Sequence, residues 1–352
     1  MNRRALAIAA LAACGYPDPA RHVDGGATDG ATMVDASQPI DASDASAPRR
    51  PACGSSGTWA EAASLPLPLE YLALVTGSDG RIYAIGGFND TGTGTKPASS
   101  LVLAYTPSTD HWDQVASLPT ARGELAAVTA GDGKIYAIGG DDGPSTTLAT
   151  VEAYAPSTNS WAMLPDGPTR RSAFAAALGP DGRIYTLGGK STTSAAIATV
   201  DAFTPSTGMW QSVPNMFNGR YVLGATTGGD GRIYAVGGYD ATLQAATDEV
   251  DEFTTSASSW GGLSRLLEPM SYHQVVAVGG KIYSLGGIFA TSTASGVGEV
   301  YSIASDTWGL GPTIPTPRYA FGAAVGPDGC IYVAGGYGSN NVPLTSVEVY
   351  AP

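Results

Sequence analysis

The chain is short of the side chains that do most protein chemistry. In 352 residues it has three histidines (His22, His111, His273) and three cysteines (Cys14, Cys53, Cys330). That leaves little from which to assemble a metal site, and none is expected. Charged residues make up 14%, with 18 Lys plus Arg against 31 Asp plus Glu and a net charge of −13. Nucleic acid is therefore excluded as a partner, because phosphate contacts need clustered basic groups. Phosphate-loop, zinc-finger and nucleophile-elbow patterns are absent too, and no cofactor is expected.

The longest candidate for a membrane segment, Ala5 to Ala13, is too short to cross a bilayer as a helix. With Asn2-Arg3-Arg4 before it, it reads as an export signal over residues 1–13. Leu11-Ala12-Ala13-Cys14 resembles the lipobox of bacterial lipoproteins. That resemblance implies cleavage before Cys14, acylation of its thiol, and anchoring in the bacterial envelope. Gly15 after the cysteine favours the outer membrane. Residues 14–56 are rich in Asp, Ala, Ser, Gly and Pro and have almost no large apolar side chains, so they read as a disordered tether.

What the chain has in plenty is glycine, 47 residues of it, and part of that glycine is periodic. A double glycine falls at Gly86-Gly87, Gly139-Gly140, Gly188-Gly189, Gly237-Gly238, Gly286-Gly287 and Gly335-Gly336, at steps of 53, 49, 49, 49 and 49 residues. A fixed period near fifty means a closed or stacked array of repeats. In the third unit, Arg171 to Leu178 is an apolar run that ends in the turn Gly179-Pro180-Asp181-Gly182. Arg183 to Leu187 makes a second strand, Thr199 to Phe203 a third, and a fourth surrounds Trp210. Four short antiparallel strands per unit describe one propeller blade.

The double glycine, an aromatic ending the third strand (Tyr105, Tyr154, Phe203, Phe253, Tyr301, Tyr350) and a tryptophan opening the fourth resemble the kelch repeat over residues 57–352. The resemblance implies an all-β, six-bladed kelch-type β-propeller with four antiparallel strands per blade. The tryptophans Trp59, Trp112, Trp161, Trp210, Trp260 and Trp308 and the glycines Gly188 and Gly189 read as scaffold. Trp59 precedes the first double glycine, and the last repeat stops at Pro352 without its fourth strand. The N-terminal strand is therefore expected to complete the last blade, and closure of this kind removes exposed sheet edges. Cys330 stands where five repeats carry Arg or Lys, and Cys53 lies just before the closing strand. A Cys53–Cys330 disulfide is expected in an oxidising compartment.

Just before the innermost strands stand Leu69, Arg122, Arg171, Arg220, Met270 and Arg318. The four arginines read in two ways. They form a ring at the channel mouth that binds a carboxylate or phosphate, as the kelch resemblance implies, or each props up its own turn. Glu268, Tyr272 and His273, with Glu124 elsewhere, are the weak candidates for acid–base catalysis. The acids Glu152, Asp201, Asp251, Glu299 and Glu348 recur two residues before the aromatic, which predicts pairing with the Arg or Lys before Ile-Tyr. The expected partner is a protein or glycan ligand, with membrane attachment through Cys14. Two alternatives stand beside it: a carbohydrate isomerase or mutarotase similar to the kelch N-acetylneuraminate epimerases, and a purely structural envelope protein. A copper oxidase of the kelch class is excluded, since His22 lies in the tether and His111 in a hairpin.

Overall fold

The computed structural model describes residues 54–89, 96–143, 146–193, 195–289 and 293–352. The signal, Cys14, Cys53 and most of the tether lie outside them. The described residues form six four-stranded antiparallel sheets and one small three-stranded one. Blade 3 shows the plan: Ala175–Leu178, Ile184–Leu187, Val200–Thr204 and Met209–Val213 pair in that order. The first strands of neighbouring blades touch all the way round, blade 6 to blade 1 included.

Blade 6 is completed as expected. Trp59–Ala62 pairs antiparallel with Val347–Tyr350 in the register Trp59↔Tyr350 to Ala62↔Val347. The backbone continues the stitch, with Gly57 N donating to Ala351 O at 2.7 Å. The outermost strand of the last blade thus comes from the start of the domain.

Aromatic side chains join each blade to the one before it. The third-strand aromatic packs on its own tryptophan, as in Tyr105–Trp112 at 5.0 Å between centroids, and on the Ile-Tyr tyrosine of the preceding blade. That second contact recurs six times, from Tyr154–Tyr83 at 5.5 Å to Tyr350–Tyr283 at 6.3 Å, and Tyr105–Tyr332 at 5.7 Å closes the ring. Five indoles also donate across the seam, as Trp161 Nε1 does to Ala116 O at 2.7 Å. A ring of six such interfaces needs no separate core, because each sheet's two faces are the core of the molecule.

The double glycine is the backbone half of the same stitch. Gly189 N donates to Arg220 O at 2.8 Å, and the equivalent bond links every blade to the next. Gly188 and Gly189 have φ of 62° and 101°. A Cβ on Gly188 would sit 2.4 Å from Arg220 O, and one on Gly189 2.7 Å from Ser172 O. No other residue type fits so close an approach at that φ.

Candidate functional site: the loop-bearing face

Each innermost strand starts, and each second strand ends, on one side of the ring. The longer connections of all six blades therefore gather there. The positions two residues before the innermost strands come together as a second ring. Tyr71, Glu124, Ala173, Val222, Tyr272 and Ala320 all have positive φ, between 46° and 57°. Each donates its N–H to the carbonyl of its counterpart in the preceding blade: Glu124 to Tyr71, Ala173 to Glu124, Val222 to Ala173, Tyr272 to Val222, Ala320 to Tyr272 and Tyr71 to Ala320. Six non-glycine residues in a conformation that costs about 1 kcal/mol or more each persist because the ring satisfies their backbone.

The side chains on this ring are unequal. On the side of blades 5, 6 and 1, Tyr71 and Tyr272 meet at 6.0 Å, Tyr272 meets Tyr319 at 5.9 Å, and Tyr319 stacks on Tyr337 at 5.2 Å. All four are buried. Tyr337 donates its hydroxyl to Glu70 Oε1 at 2.8 Å and accepts from Lys96 Nζ at 2.7 Å. The result is an aromatic plug tied down by a buried carboxylate. On the side of blades 2, 3 and 4 the ring carries only Glu124, Ala173 and Val222, with Lys190 4.6 Å from the Tyr221 ring beyond them. Repeat alignment singles out Tyr272 but not Tyr71, Tyr319 or Tyr337. The signal was present as tyrosines at three variable positions, two of them just before the innermost strand and the third directly after the double glycine.

The arginines are not on this surface. Arg122, Arg171, Arg220 and Arg318 are at most 2% exposed, and each turns into its own blade. Arg122 Nη1 donates to Gly139 O at 3.0 Å and Thr150 O at 3.1 Å, while Nη2 lies 2.9 Å from Glu152 Oε1. Arg318 repeats this with Gly335 O, Ser346 O and Glu348, Arg171 with Gly188 O, Thr199 O and Asp201, and Arg220 with Gly237 O, Glu249 O and Asp251. Burial pulls each guanidinium's pKa down, Arg171's to about 10, and the carboxylate beside it pulls back. The expectation of a cationic ring at the mouth is corrected: these arginines clamp the double glycine to the third strand.

The recurring acids are corrected with them. Asp201 sits opposite Thr186 in the sheet register, two residues beyond the Ile184 that follows Arg183, so it is out of that arginine's reach. Four of the five basic residues before Ile-Tyr pair instead with the aspartate of their own turn, as Arg183 does with Asp181 at 2.8 Å, and the turn before the fifth, Lys281, is Gly279-Gly280 with no aspartate. Two blades lack the arginine, and they differ. In blade 1, Leu69 and Leu103 occupy both positions and share one apolar cluster. In blade 5, Met270 replaces the arginine but Glu299 remains, 1% exposed, accepting from the backbone N–H of Leu267 and Glu268 at 2.8 and 3.2 Å. Burial pushes its pKa up against those two bonds.

The acid–base set does not assemble. Glu268 is exposed, Tyr272 belongs to the plug, and His273 lies wholly buried between blades 4 and 5. His273 fills the position taken by Leu72, Leu125, Phe174, Leu223 and Phe321 in the other repeats. Neither ring nitrogen has a hydrogen bond of normal geometry. Burial depresses its pKa to about 4, with the Val236 backbone partly opposing and Arg220 reinforcing the shift. Glu124 stands apart from all three, half-buried on the central ring. Among the described residues no group of His, Cys, Asp and Glu is placed to hold a metal ion.

The geometry agrees with what comparison with known proteins finds. A family model described as the KLHDC2/KLHL20/DRC7 Kelch-repeats domain matches residues 71–287, and the Kelch motif matches 269–313 and 318–352. Kelch-like protein 33 of Homo sapiens is 33% identical over 97 residues, 28% of this chain and 18% of that protein. The N-acetylneuraminate epimerase of Pasteurella multocida (strain Pm70) is 30% identical over 83 residues, 23% of this chain and 22% of that protein. The chain thus spans less than a quarter of the length of these curated relatives. A solved structure titled "Structure of YjhT" superposes with a TM-score of 0.67 at 15% identity, covering 81% of this chain and 95% of that one. At that identity the likeness is one of fold. The chain belongs to the kelch-repeat family.

Proposed function

We propose that this kelch propeller is a protein-binding module of a bacterial cell envelope, with the loop-bearing face as its docking side. The observation that carries the reading is where the repeats differ. The clamp and seam residues recur from blade to blade, whereas the position after the double glycine runs Phe88, Asp141, Lys190, Tyr239, Ile288 and Tyr337. With one half of the channel mouth filled by tyrosines, a ligand meets the face rather than a pore. The lipobox-like Cys14 supplies the anchor in this reading. A Cys53–Cys330 disulfide fastens the start of the domain to blade 6, where Cys330 is fully buried. Loss of acyl label in a Cys14→Ser variant, and a single disulfide under non-reducing mass spectrometry, are the outcomes expected of these two parts.

The lysines test the docking side. Lys96 and Lys190 lie on the loop-bearing side, Lys134 and Lys281 at the strand 1–2 turns of the opposite side. Amine-reactive cross-linking of the full chain in intact cells should yield adducts to other proteins through Lys96 and Lys190. Adducts confined to Lys134 and Lys281, or none, contradict the reading.

A second reading, sugar epimerisation, draws on the 30% identity to the N-acetylneuraminate epimerase. It has to do without the four arginines, whose guanidiniums are committed inside the blades. An NMR anomer-exchange assay on N-acetylneuraminate separates the two: a rate equal to buffer removes epimerisation, and a faster one removes the pure binding module.

A further inference from the structure

In four blades the loop approaching the innermost strand carries proline at one position, Pro66, Pro119, Pro168 and Pro315. Blades 4 and 5 carry Phe217 and Leu267 there instead, 59% and 48% exposed. These neighbours flank a single segment. Asn218 Nδ2 donates to both carboxylate oxygens of Glu249 at 2.9 and 3.1 Å, and Arg265 Nη1 donates to Asp248 Oδ1 at 2.5 Å. That segment follows directly on the ribbon of blade 4, Arg220–Tyr221, Tyr239–Asp240 and Ala245–Ala246, the one sheet among the described residues that is not a blade. Its tip presents Leu243, 67% exposed.

Three large apolar side chains around one blade are thus held open to solvent. Leaving such side chains in water forgoes roughly 25 cal/mol per Å² of burial, so a cluster of them marks a contact surface. Its rim is acidic. Asp248 and Glu249 lie between the anchors and Glu268 is exposed beside Leu267; of the two cations nearby, Arg265 is paired with Asp248, and Lys190 sits against the Tyr221 ring at the base of the ribbon. The chain as a whole carries −13. Charge complementarity then selects a partner with Lys or Arg around an apolar anchor, and it repels an anionic membrane surface.

We propose that the loop-bearing face of blade 4 docks a basic, apolar-anchored segment of a partner protein. Phe217, Leu243 and Leu267 make the buried contact, and Asp248, Glu249 and Glu268 form the rim. This rests on the protein-binding reading above, but the two can fail separately: loop-face cross-links without peptide affinity would sink only the present inference.

The test uses the full chain and two fluorescein-labelled pools of synthetic peptides, equal in Leu and Phe content, one rich in Lys and Arg and the other in Asp and Glu. Fluorescence anisotropy should show binding of the basic pool alone, weakening as salt rises. The variant Phe217→Ser/Leu267→Ser should weaken it by about tenfold or more, since a few central apolar anchors carry most of such an interface. Glu268→Lys should weaken it and flatten the salt dependence. All three positions are exposed, so thermal melts of both variants should match the parent. Equal binding of the two pools, binding of neither, or unchanged affinity in the serine variant overturns the proposal. So does a parent dimer in sedimentation that the serine variant turns into monomers, since the occupant is then a second copy of this chain.

Discussion

Arg318 Nη2 lies 2.9 Å from Glu348 Oε2 inside blade 6, with the two side chains 0% and 6% exposed. The pair holds the chain at Gly335 to the third strand, and three other blades repeat it. A buried ion pair is expensive to desolvate, yet breaking one half is worse than replacing both. Blade 1 shows the replacement, with Leu69 and Leu103 in one apolar cluster. Arg318→Leu alone should therefore cost about 3–5 kcal/mol in urea unfolding, and Arg318→Leu/Glu348→Leu should recover most of it. Additive losses would show that the two residues act independently.

Blade 5 has the acid without the arginine. Glu299 has a raised pKa, so its buried charge is a cost that appears as pH rises through the folded-state value and is absent below the ordinary carboxylate range. Met270→Arg supplies the guanidinium that four other blades have. It should stabilise by about 0.5–2 kcal/mol at pH 7, with the gain shrinking toward pH 4. A melting temperature that falls at pH 7 would show that blade 5 has no room for the clamp.

His273 makes stability depend on pH in the opposite direction. Its folded pKa is depressed, so the unfolded chain takes the proton first; its contribution is complete above pH 6.5 and declines as pH falls toward about 4. The drop from 6.5 to about 4 corresponds to about 3 kcal/mol at full effect. Urea midpoints across this range, compared between the parent and His273→Leu, isolate the histidine from titrating carboxylates. Leucine is the side chain that blades 1, 2 and 4 use at the same place, and its variant should lose this part of the slope.

Closure of the ring rests on one short strand. Trp59 packs on Tyr350 at 5.2 Å, and its strand covers the edge of the last blade. Trp59→Ala should cost about 3 kcal/mol or more and open blade 6 first. Hydrogen exchange should then rise at Val347–Tyr350 before it rises in blade 3, and uniform exchange across blades would contradict a local closure.

The scaffold was legible because it repeats. Six double glycines in near-constant steps, a tryptophan per unit and an unmatched first tryptophan are enough to place the blades and the closing strand. The arginines were misleading for a physical reason: an arginine at the start of a strand has the same sequence signature whether it turns out to solvent or in to a carboxylate. The acids in the third strand were misplaced because that strand is buried on both faces, so alternation carries no orientation. The tyrosine plug went unread because its four members come from three repeats and three different repeat positions. They meet only once the ring is closed.

The reading of the loop-bearing face as the docking side is tested most directly by hydroxyl-radical footprinting of the full chain, purified and in its native envelope. Phe217, Leu243 and Leu267 report on that face, and Met163 and Met209, 69% and 67% exposed on fourth strands, serve as internal controls. The account predicts protection of the three loop-face side chains in the envelope while both methionines stay as reactive as in the purified protein. Protection of the methionines with Phe217, Leu243 and Leu267 left open would contradict it.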